Sequence, residues 1–332
     1  MSGMTSSDVK AEHAAVRRTA GLIDRREHGV LEVTGRDRAT FLHALLSNDV
    51  KSLVTGQGCA ATLLDIHGKV QVVLLVWVLD DRILLVTPPG AAEPTLEALD
   101  KYLFSEKAVL RDASADWALF MIAGPQAPAL IERVAGGGPD ARPWSSVLAS
   151  VDGVGARLVR GAGETGEPEV WIAGPAAEAE RVWKALTATG TTVVGPGALE
   201  TLRIEAGTPR FPADIGPAVL LPEVPFEALV SQTKGCYPGQ EVVVRIRDRG
   251  HVNRHLRGLV LEGDAVPDAG SEVVAGDAAI GAVTSATRSV DLDRPVALAM
   301  IRRQHAEPGT AVGVRVGDRV VSATVSALPF TR

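Results

Sequence analysis

The highest density of chemically active residue types in this chain lies in residues 234–241, which read Lys-Gly-Cys-Tyr-Pro-Gly-Gln-Glu. Here the thiol of Cys236 stands two residues from the ammonium of Lys234 and five from the carboxylate of Glu241. A nearby lysine and a helix N-terminus both favour the thiolate, which is the reactive form of cysteine. We therefore expect Cys236 to be a working thiol whose surroundings are set by Lys234 and Glu241.

The residues that follow this thiol allow two local structures. Pro238 suits the first turn of a helix that would run to Arg249 and end at Gly250. The β-branched run 242–244 favours a strand instead. In either structure one face carries three charged residues, which are Glu241, Arg245 and Arg249. Such a face is often only a solvated ladder of ion pairs that contributes little to stability.

Other uses of the two cysteines are less favoured. A Cys–His nucleophile pair with His251 or His255 has no recognisable orienting residue, and a G-x-S-x-G elbow is absent. Cys59 lies in a β-like run, where an inert buried thiol is typical. Because an iron–sulfur cluster normally needs four ligands, mostly thiolates, two cysteines cannot hold one, and we expect no metal site.

A second segment with possible chemistry spans residues 196–207, whose first and last residues are typical of the two ends of a helix. Pro196 suits the first turn and Gly207 the position just past the end. Glu205 then falls in the last turn, where the helix dipole disfavours a carboxylate. It is either a surface glutamate balanced by Arg203 or Arg210, or a carboxylate that accepts hydrogen bonds from the N–H groups of a ligand.

A glycine-rich stretch at residues 161–166 matches the pattern G-x-G-x-x-G of dinucleotide-binding proteins. That motif requires a preceding strand and a helix that opens directly on the phosphate. Here Pro168 and a β-like run at 170–172 follow instead. The stretch is therefore predicted to be a hairpin turn.

The surrounding pattern predicts an α+β fold followed by an all-β module. Runs at 59–64, 69–79 and 82–86 are separated by short polar turns, which indicates antiparallel hairpins. Strands and helices then alternate as far as residue 194, which favours α+β over a doubly wound parallel sheet. From about residue 256 only β-like runs remain, so a barrel or sandwich is expected. We predict one region over residues 1–255 and a second over 256–332.

Charge and hydropathy exclude two classes of partner. A net charge of -6 and a pI near 5.7 argue against nucleic-acid binding through bulk electrostatics. The longest apolar run, at 70–79, covers ten positions, whereas a membrane helix needs about 20. The first 18 residues lack the apolar core of a signal peptide. These features predict a cytoplasmic protein without a membrane partner.

Residues 234–241 closely resemble the K-G-C-[FY]-x-G-Q-E motif of the YgfZ-type folate-binding proteins, whose eukaryotic relatives are iron–sulfur assembly factors. Residues 202–209 are similar to the L-R-I-E-A-G-x-P segment that this family shares with the glycine-cleavage T-protein. Residues 249–258 resemble the entry to the last domain of the family, and residues 33–42 match its V-x-G-x-D-x-x-x-F-L pattern. The resemblance therefore covers nearly the whole chain.

This resemblance implies two ferredoxin-like α+β lobes and a C-terminal β-barrel, arranged as a three-lobed ring around a central tetrahydrofolate pocket. It also implies that Glu205 is a pterin-binding carboxylate, since a carboxylate accepts two hydrogen bonds side by side. Further folate-binding candidates are Arg203, Tyr237, Gln240, Arg245 and Arg254. Tetrahydrofolate, or a one-carbon derivative of it, is the implied cofactor.

One departure from the T-protein bears on the function. T-proteins carry a pair of aspartates shortly after the glycine that matches Gly68, whereas this chain has Gln71 and Val72. We therefore predict a tetrahydrofolate-binding accessory factor for the assembly or repair of iron–sulfur proteins, with client or assembly proteins as partners. The alternative is a folate-dependent one-carbon transferase or demethylase that acts on a small amine. A degenerate folate-binding module that acts through protein contacts alone also stays open.

Overall fold

The chain enters one sheet, leaves it to build another, and then returns to the first. The computed structural model describes residues 6–330, beginning with helix α1 (Ser6–Arg18) and strand β1 (Gly21–Asp24). Strand β1 pairs antiparallel with β7 (Trp117–Ala123) and parallel with β11 (Thr192–Val194). The residues between β1 and β7 form a separate lobe, so the two lobes are interleaved along the chain.

The first lobe is a five-stranded antiparallel sheet in the order β3-β4-β5-β2-β6. Its elements are β2 (Gly29–Thr34), α2 (Arg38–Leu45), β3 (Gly58–Leu64), β4 (Val70–Val78), β5 (Ile83–Thr87), α3 (Ala92–Asp100) and β6 (Val109–Asp112). Alternate residues of β4 face opposite sides, with Leu74 in the core beneath the helices and Trp77 in the core shared with the other lobe. The hairpins predicted from the short polar turns are confirmed.

The second lobe is a six-stranded sheet in the order β11-β1-β7-β10-β9-β8. Its further elements are α4 (Ala127–Ala135), β8 (Ser146–Val151), β9 (Val154–Arg160), β10 (Glu169–Pro175) and α5 (Ala179–Thr187). One face packs under its helices through Phe120 and Ile172, and the other meets the first lobe through Met121 and Trp171. Because these central strands are buried on both faces, their sequences are nearly continuous runs of apolar residues.

Helices α6 (Pro196–Glu205) and α7 (Gln240–Arg249) lead from the lobes to a closed six-stranded barrel. The barrel strands are β12 (Arg254–Leu261), β13 (Glu272–Ala275), β14 (Ala278–Ser289), β15 (Arg294–Arg302), β16 (Ala311–Val316) and β17 (Arg319–Ser326). The predicted α+β region and the all-β C-terminal module are both confirmed. No helix within residues 6–330 is long and apolar enough to cross a membrane.

The segment after the cysteine forms a helix, so the strand alternative is wrong. Gly239, with a φ of 78°, immediately precedes α7, and Pro238 therefore lies outside the first turn, contrary to the prediction. A Cβ atom on Gly239 would stand 2.4 Å from the backbone oxygen of Asp65. The close approach of the β3–β4 turn therefore requires glycine at this position.

Candidate functional site: a cavity between the two lobes

A cavity of about 610 Å³ lies between the two sheets, a size typical of small-molecule sites. Both lobes, helix α6 and the segment 208–212 supply its walls. Its apolar walls include Val73, Leu75, Val86, Trp171, Leu199 and Phe211. Every lining residue precedes position 213, so the barrel strands contribute none of them.

Glu169, the first residue of β10, is a buried carboxylate in this cavity. Its side chain is only 1% exposed, and Oε1 accepts a hydrogen bond of 3.1 Å from the backbone N–H of Gly163. The other oxygen, Oε2, is buried and has no hydrogen-bond partner among residues 6–330. Burial and the neighbouring carboxylate of Glu164 raise the pKa of Glu169 to about 7.

Other polar groups of the cavity wall also lack partners. The hydroxyl of Thr87 and the indole N–H of Trp171 are buried and make no hydrogen bond within the part of the chain that the structure describes. The guanidinium of Arg25 stacks over the Trp171 ring at 5.0 Å and donates to Glu164 at 2.9 Å. Since buried polar atoms are normally hydrogen-bonded, three unpaired groups in one cavity indicate a site for a ligand with polar edges.

The glycine-rich stretch has a role at this site. It connects β9 to β10 as a hairpin, which confirms the predicted turn and excludes the helix that a dinucleotide motif requires. Within the turn, Gly163 has a φ of 91° and directs its N–H at Glu169. Ala162, Gly163 and Glu164 all line the cavity.

Glu205 lies elsewhere and is already saturated with hydrogen bonds. It is 5% exposed, so the surface interpretation is wrong, and its charge partner is Arg17 rather than Arg203 or Arg210. Oε2 accepts from His13 and Arg17 at 2.7 and 2.8 Å, and Oε1 accepts from Ser289 Oγ and from the backbone N–H groups of Val290 and Asp291 at 2.7, 2.9 and 3.2 Å. This geometry does not support the predicted contact of Glu205 with a pterin.

Two of the three predicted arginines are engaged in protein contacts. Arg203 lines the cavity, but its guanidinium is buried in ion pairs with Glu200 and Asp214. Arg254 pairs with Glu223 at 2.8 Å, at the start of the barrel. Arg245 is exposed on α7. Neither Arg245 nor Arg254 lines the cavity.

The cysteine segment is attached to the opposite face of the first lobe. The ammonium of Lys234 is buried and donates to the backbone carbonyls of His43 and Leu46, at the end of α2. Burial lowers the pKa of Lys234 to about 8. Helix α2 packs on the sheet face that is turned away from the second lobe. Lys234 is therefore separated from the cavity by the sheet, whereas Tyr237 belongs to a core that also includes the cavity-wall residues Val73 and Phe211.

Within this segment the candidate side chains point in different directions. Cys236 and Glu241 are exposed, whereas Tyr237 belongs to the core beneath the barrel. Gln240 is half-buried beside Tyr237 in a small surface pocket. Among the described residues, no ion pair joins Glu241 to an arginine of α7. Of the predicted site residues, only Arg203 reaches the central cavity.

Strand β4 brings no carboxylate to the cavity. Gln71 is exposed and Val72 packs into the core beneath the helices, whereas Val73 and Leu75 form the wall. Glu169, Arg25 and Trp171 are site residues that were not predicted from the sequence. The sequence feature that could have pointed to Glu169 is its position at the start of the strand that follows the glycine-rich turn.

Comparisons with known proteins agree with this architecture. The GCVT N-terminal domain matches residues 3–234, and the glycine cleavage T-protein C-terminal barrel domain matches residues 254–331. The chain is 32% identical to an aminomethyltransferase of Streptomyces avermitilis (97% of this chain, 89% of the relative) and 34% identical to a probable aminomethyltransferase of Halobacterium salinarum (97% and 90%).

One solved structure is similar over almost the whole chain. The glycine cleavage system aminomethyltransferase T from Bartonella henselae superposes with a TM-score of 0.88 at 25% identity, covering 97% of this chain and 89% of that one. A putative chloroplastic transferase of Arabidopsis thaliana, At1g60990, is 29% identical over 93% of this chain and 71% of its own length. Aminomethyltransferases of this type use tetrahydrofolate as a substrate or cofactor.

Proposed function

Because the chain belongs to the glycine-cleavage T-protein family, we propose that it binds a tetrahydrofolate in the central cavity and acts as a folate-dependent one-carbon transferase. The observation that carries this proposal is the unpaired Oε2 atom of Glu169. A pterin presents two N–H donors side by side, and a carboxylate accepts such a pair well. The apolar walls suit the faces of the pterin ring.

Calorimetric titration with tetrahydrofolate tests the binding step. We expect the unmodified protein to bind with a dissociation constant below about 10 μM. Glu169→Gln removes the charge that receives the pterin donors, so its affinity is expected to fall at least about tenfold. Glu241→Gln, on the exposed face of α7, is the matched control and is expected to bind normally. Equal affinities in all three proteins would refute the proposed site.

The absence of a carboxylate on β4 argues against the glycine-cleavage reaction and favours a different small amine as the one-carbon donor. We therefore propose that the substrate is an N-methylated amine of glycine size. Purified protein, tetrahydrofolate and methylated glycines would be incubated together, and the formation of 5-methyltetrahydrofolate measured. Transfer of the methyl group from the amine nitrogen to N5 of the folate, with the N5 proton passing to the amine, needs no oxidant. A protein that binds folate through Glu169 yet produces none with any of these amines would contradict the transferase role while leaving the binding site standing.

A second candidate function rests on Cys236. Its thiol is exposed, and it lies in the segment that resembles the YgfZ-type proteins. In this proposal the chain binds folate and assists the assembly or repair of iron–sulfur proteins, with client or assembly proteins as partners. Cys236→Ala is expected to fold and bind folate normally but to fail to restore iron–sulfur enzymes in a deletion strain. Full rescue by this variant would rule out the role of the thiol.

The accessory role is distinguished from a binding module by using both variants in the same strain. If the folate and the thiol are both required, Glu169→Gln and Cys236→Ala each lose rescue. If both variants retain full cellular function, the chain acts through protein contacts alone.

A further inference from the structure

A second cavity, of about 290 Å³, lies at the other end of the core shared by the two lobes. It has no lining residue in common with the central cavity. Strand β10 passes both cavities, since Trp171 lines the central cavity whereas Ala173 and Pro175 line the second. Glu32 and Arg82 of the first lobe form the facing wall.

Arg157 of β9 is the unusual residue of this second cavity. It pairs in register with Ala173 of β10 and lies on the same face as Val159, which belongs to the core between the lobes. The residue is only 9% exposed, and its Nε atom is buried without an acceptor. Within residues 6–330 its guanidinium makes no hydrogen bond and no ion pair, and the exposed carboxylate of Asp80 acts on it only through longer-range electrostatics. A buried guanidinium normally has a carboxylate or other acceptor beside it, because an uncompensated buried charge is strongly unfavourable.

The carboxylate of Glu32, in the same cavity, cannot serve as that acceptor. Glu32 is 4% exposed and accepts from Arg82 at 2.9 Å, from Arg111 at 2.7 Å and from the indole N–H of Trp117 at 3.1 Å. Asp116, the other carboxylate of the lining, is engaged by Arg111. The cavity therefore contains three guanidinium groups and two carboxylates, and the carboxylates are bound to arginines other than Arg157.

We propose that this second cavity binds a small oxyanion, a carboxylate or a phosphate, with Arg157 as its principal ligand. The planar guanidinium offers paired N–H donors whose spacing matches two oxygens of such an anion. At position 155, which pairs in register with Ser150, a glycine of the cavity lining leaves open space where a Cβ atom would stand. The volume accommodates a phosphate or a short dicarboxylate. This proposal does not depend on the folate site, because the two cavities share no residue.

Inorganic phosphate and succinate are the probes, titrated calorimetrically into the full chain at constant ionic strength. We expect saturable binding of at least one of them, with one site per chain and a dissociation constant below about 1 mM. Arg157→Met removes the guanidinium and is expected to weaken that binding at least about tenfold. The control is Arg181→Gln, which changes an exposed arginine paired with Asp152 and is expected to bind normally. Glu169→Gln is likewise expected to bind the anion normally.

Thermal unfolding shows whether Arg157→Met loses anion binding because the guanidinium is missing or because the variant is misfolded. In buffer without phosphate or carboxylates, Arg157→Met is expected to unfold at a higher temperature than the unmodified protein, because a buried Nε–H group without an acceptor has been removed. The anion is expected to raise the midpoint of the unmodified protein but not that of the variant. The proposal is overturned if neither probe binds, if Arg157→Met binds as well as the unmodified protein, or if the variant unfolds at a lower temperature in anion-free buffer.

Discussion

Glu205 and Glu169 are both buried, but their surroundings shift their pKa values in opposite directions and indicate different roles. Around Glu205, burial alone would raise the pKa, but hydrogen bonds from His13, Ser289 and Arg17 outweigh it and lower the pKa to about 2. Around Glu169 there is little to offset burial, and the pKa rises to about 7. A carboxylate with filled hydrogen bonds stabilises the fold, whereas one with an open oxygen is available to a ligand.

The stability of the Glu169→Gln variant relative to the unmodified protein should depend on pH. The folded-state pKa of Glu169 lies above its usual value of 4.5, so the folded protein binds the proton more tightly than the unfolded chain. Its ionisation therefore lowers the free energy of unfolding as pH rises from about 4.5 to 7, by roughly 3 kcal/mol in total. Glu169→Gln should be more stable than the unmodified protein at pH 8, as measured by chemical denaturation, even though it binds folate less well.

The same ionisation predicts the pH dependence of folate binding. Because the pterin donors require the charged carboxylate, the affinity of the unmodified protein is expected to rise between pH 6 and 8 and then level off. This rise should be absent in Glu169→Gln. An identical pH profile in the two proteins would show that another group controls binding.

At the scale of elements, the cysteine segment is positioned by contacts that do not involve its thiol. Lys234 fastens it to the end of α2, and Gly239 packs against the β3–β4 turn, where Gly68 also lies. Exposure of Cys236 is thus a consequence of how its neighbours are anchored. A substitution that disturbs those anchors should therefore affect the segment more than a change of the cysteine itself.

Gly239→Ala tests this anchoring. The new Cβ would stand 2.4 Å from the backbone oxygen of Asp65, and the alanine would have to keep the φ of 78° that glycine has at this position. We therefore expect a loss of about 1–3 kcal/mol in the free energy of unfolding. Gly235→Ala is the matched control, because nothing lies within 4 Å of its Cβ position. Denaturant unfolding of both variants measures the difference. Equal stabilities would mean that the segment moves freely on the turn.

Prediction from sequence succeeded where the controlling interactions are local. The hairpins of the first lobe and the barrel strands follow from alternation and from turn residues a few positions apart. Glu205 was hardest to place because its partners His13 and Arg17 stand 192 and 188 residues away along the chain. Glu169 became recognisable only when two sheets had packed around it, since an unpaired oxygen is a property of the assembled cavity.

At the scale of the whole molecule, two buried polar clusters join the lobes to the barrel. One is the cluster around Glu205, which links α1 to the end of β14. The other links α6 to the barrel, because Asp214 accepts from Arg203 and also from Ser285 at 2.8 Å. These clusters fix the position of the barrel relative to the cavity although no barrel strand lines it.

Acid unfolding should therefore begin at this junction. Because the folded-state pKa of Glu205 is about 2, against a usual value of 4.5, its stabilising contribution is present in full above pH 4.5 and is lost as pH falls toward 2. Glu205→Gln removes this contribution at every pH and leaves Arg17 without one of its carboxylate partners. We therefore expect the free energy of unfolding to be about 3 kcal/mol lower at pH 7 and to depend less on pH below 4.5 than in the unmodified protein.

Differential scanning calorimetry distinguishes a local effect from a loss of coupling between the lobes and the barrel. If the Glu205 cluster couples them, the variant should show two unfolding transitions where the unmodified protein shows one, because the barrel then unfolds independently. Glu241→Gln, which changes an exposed glutamate that forms no ion pair with any described residue, should unfold like the unmodified protein. A single transition at an unchanged midpoint in Glu205→Gln would show that the barrel is held by its apolar contacts alone.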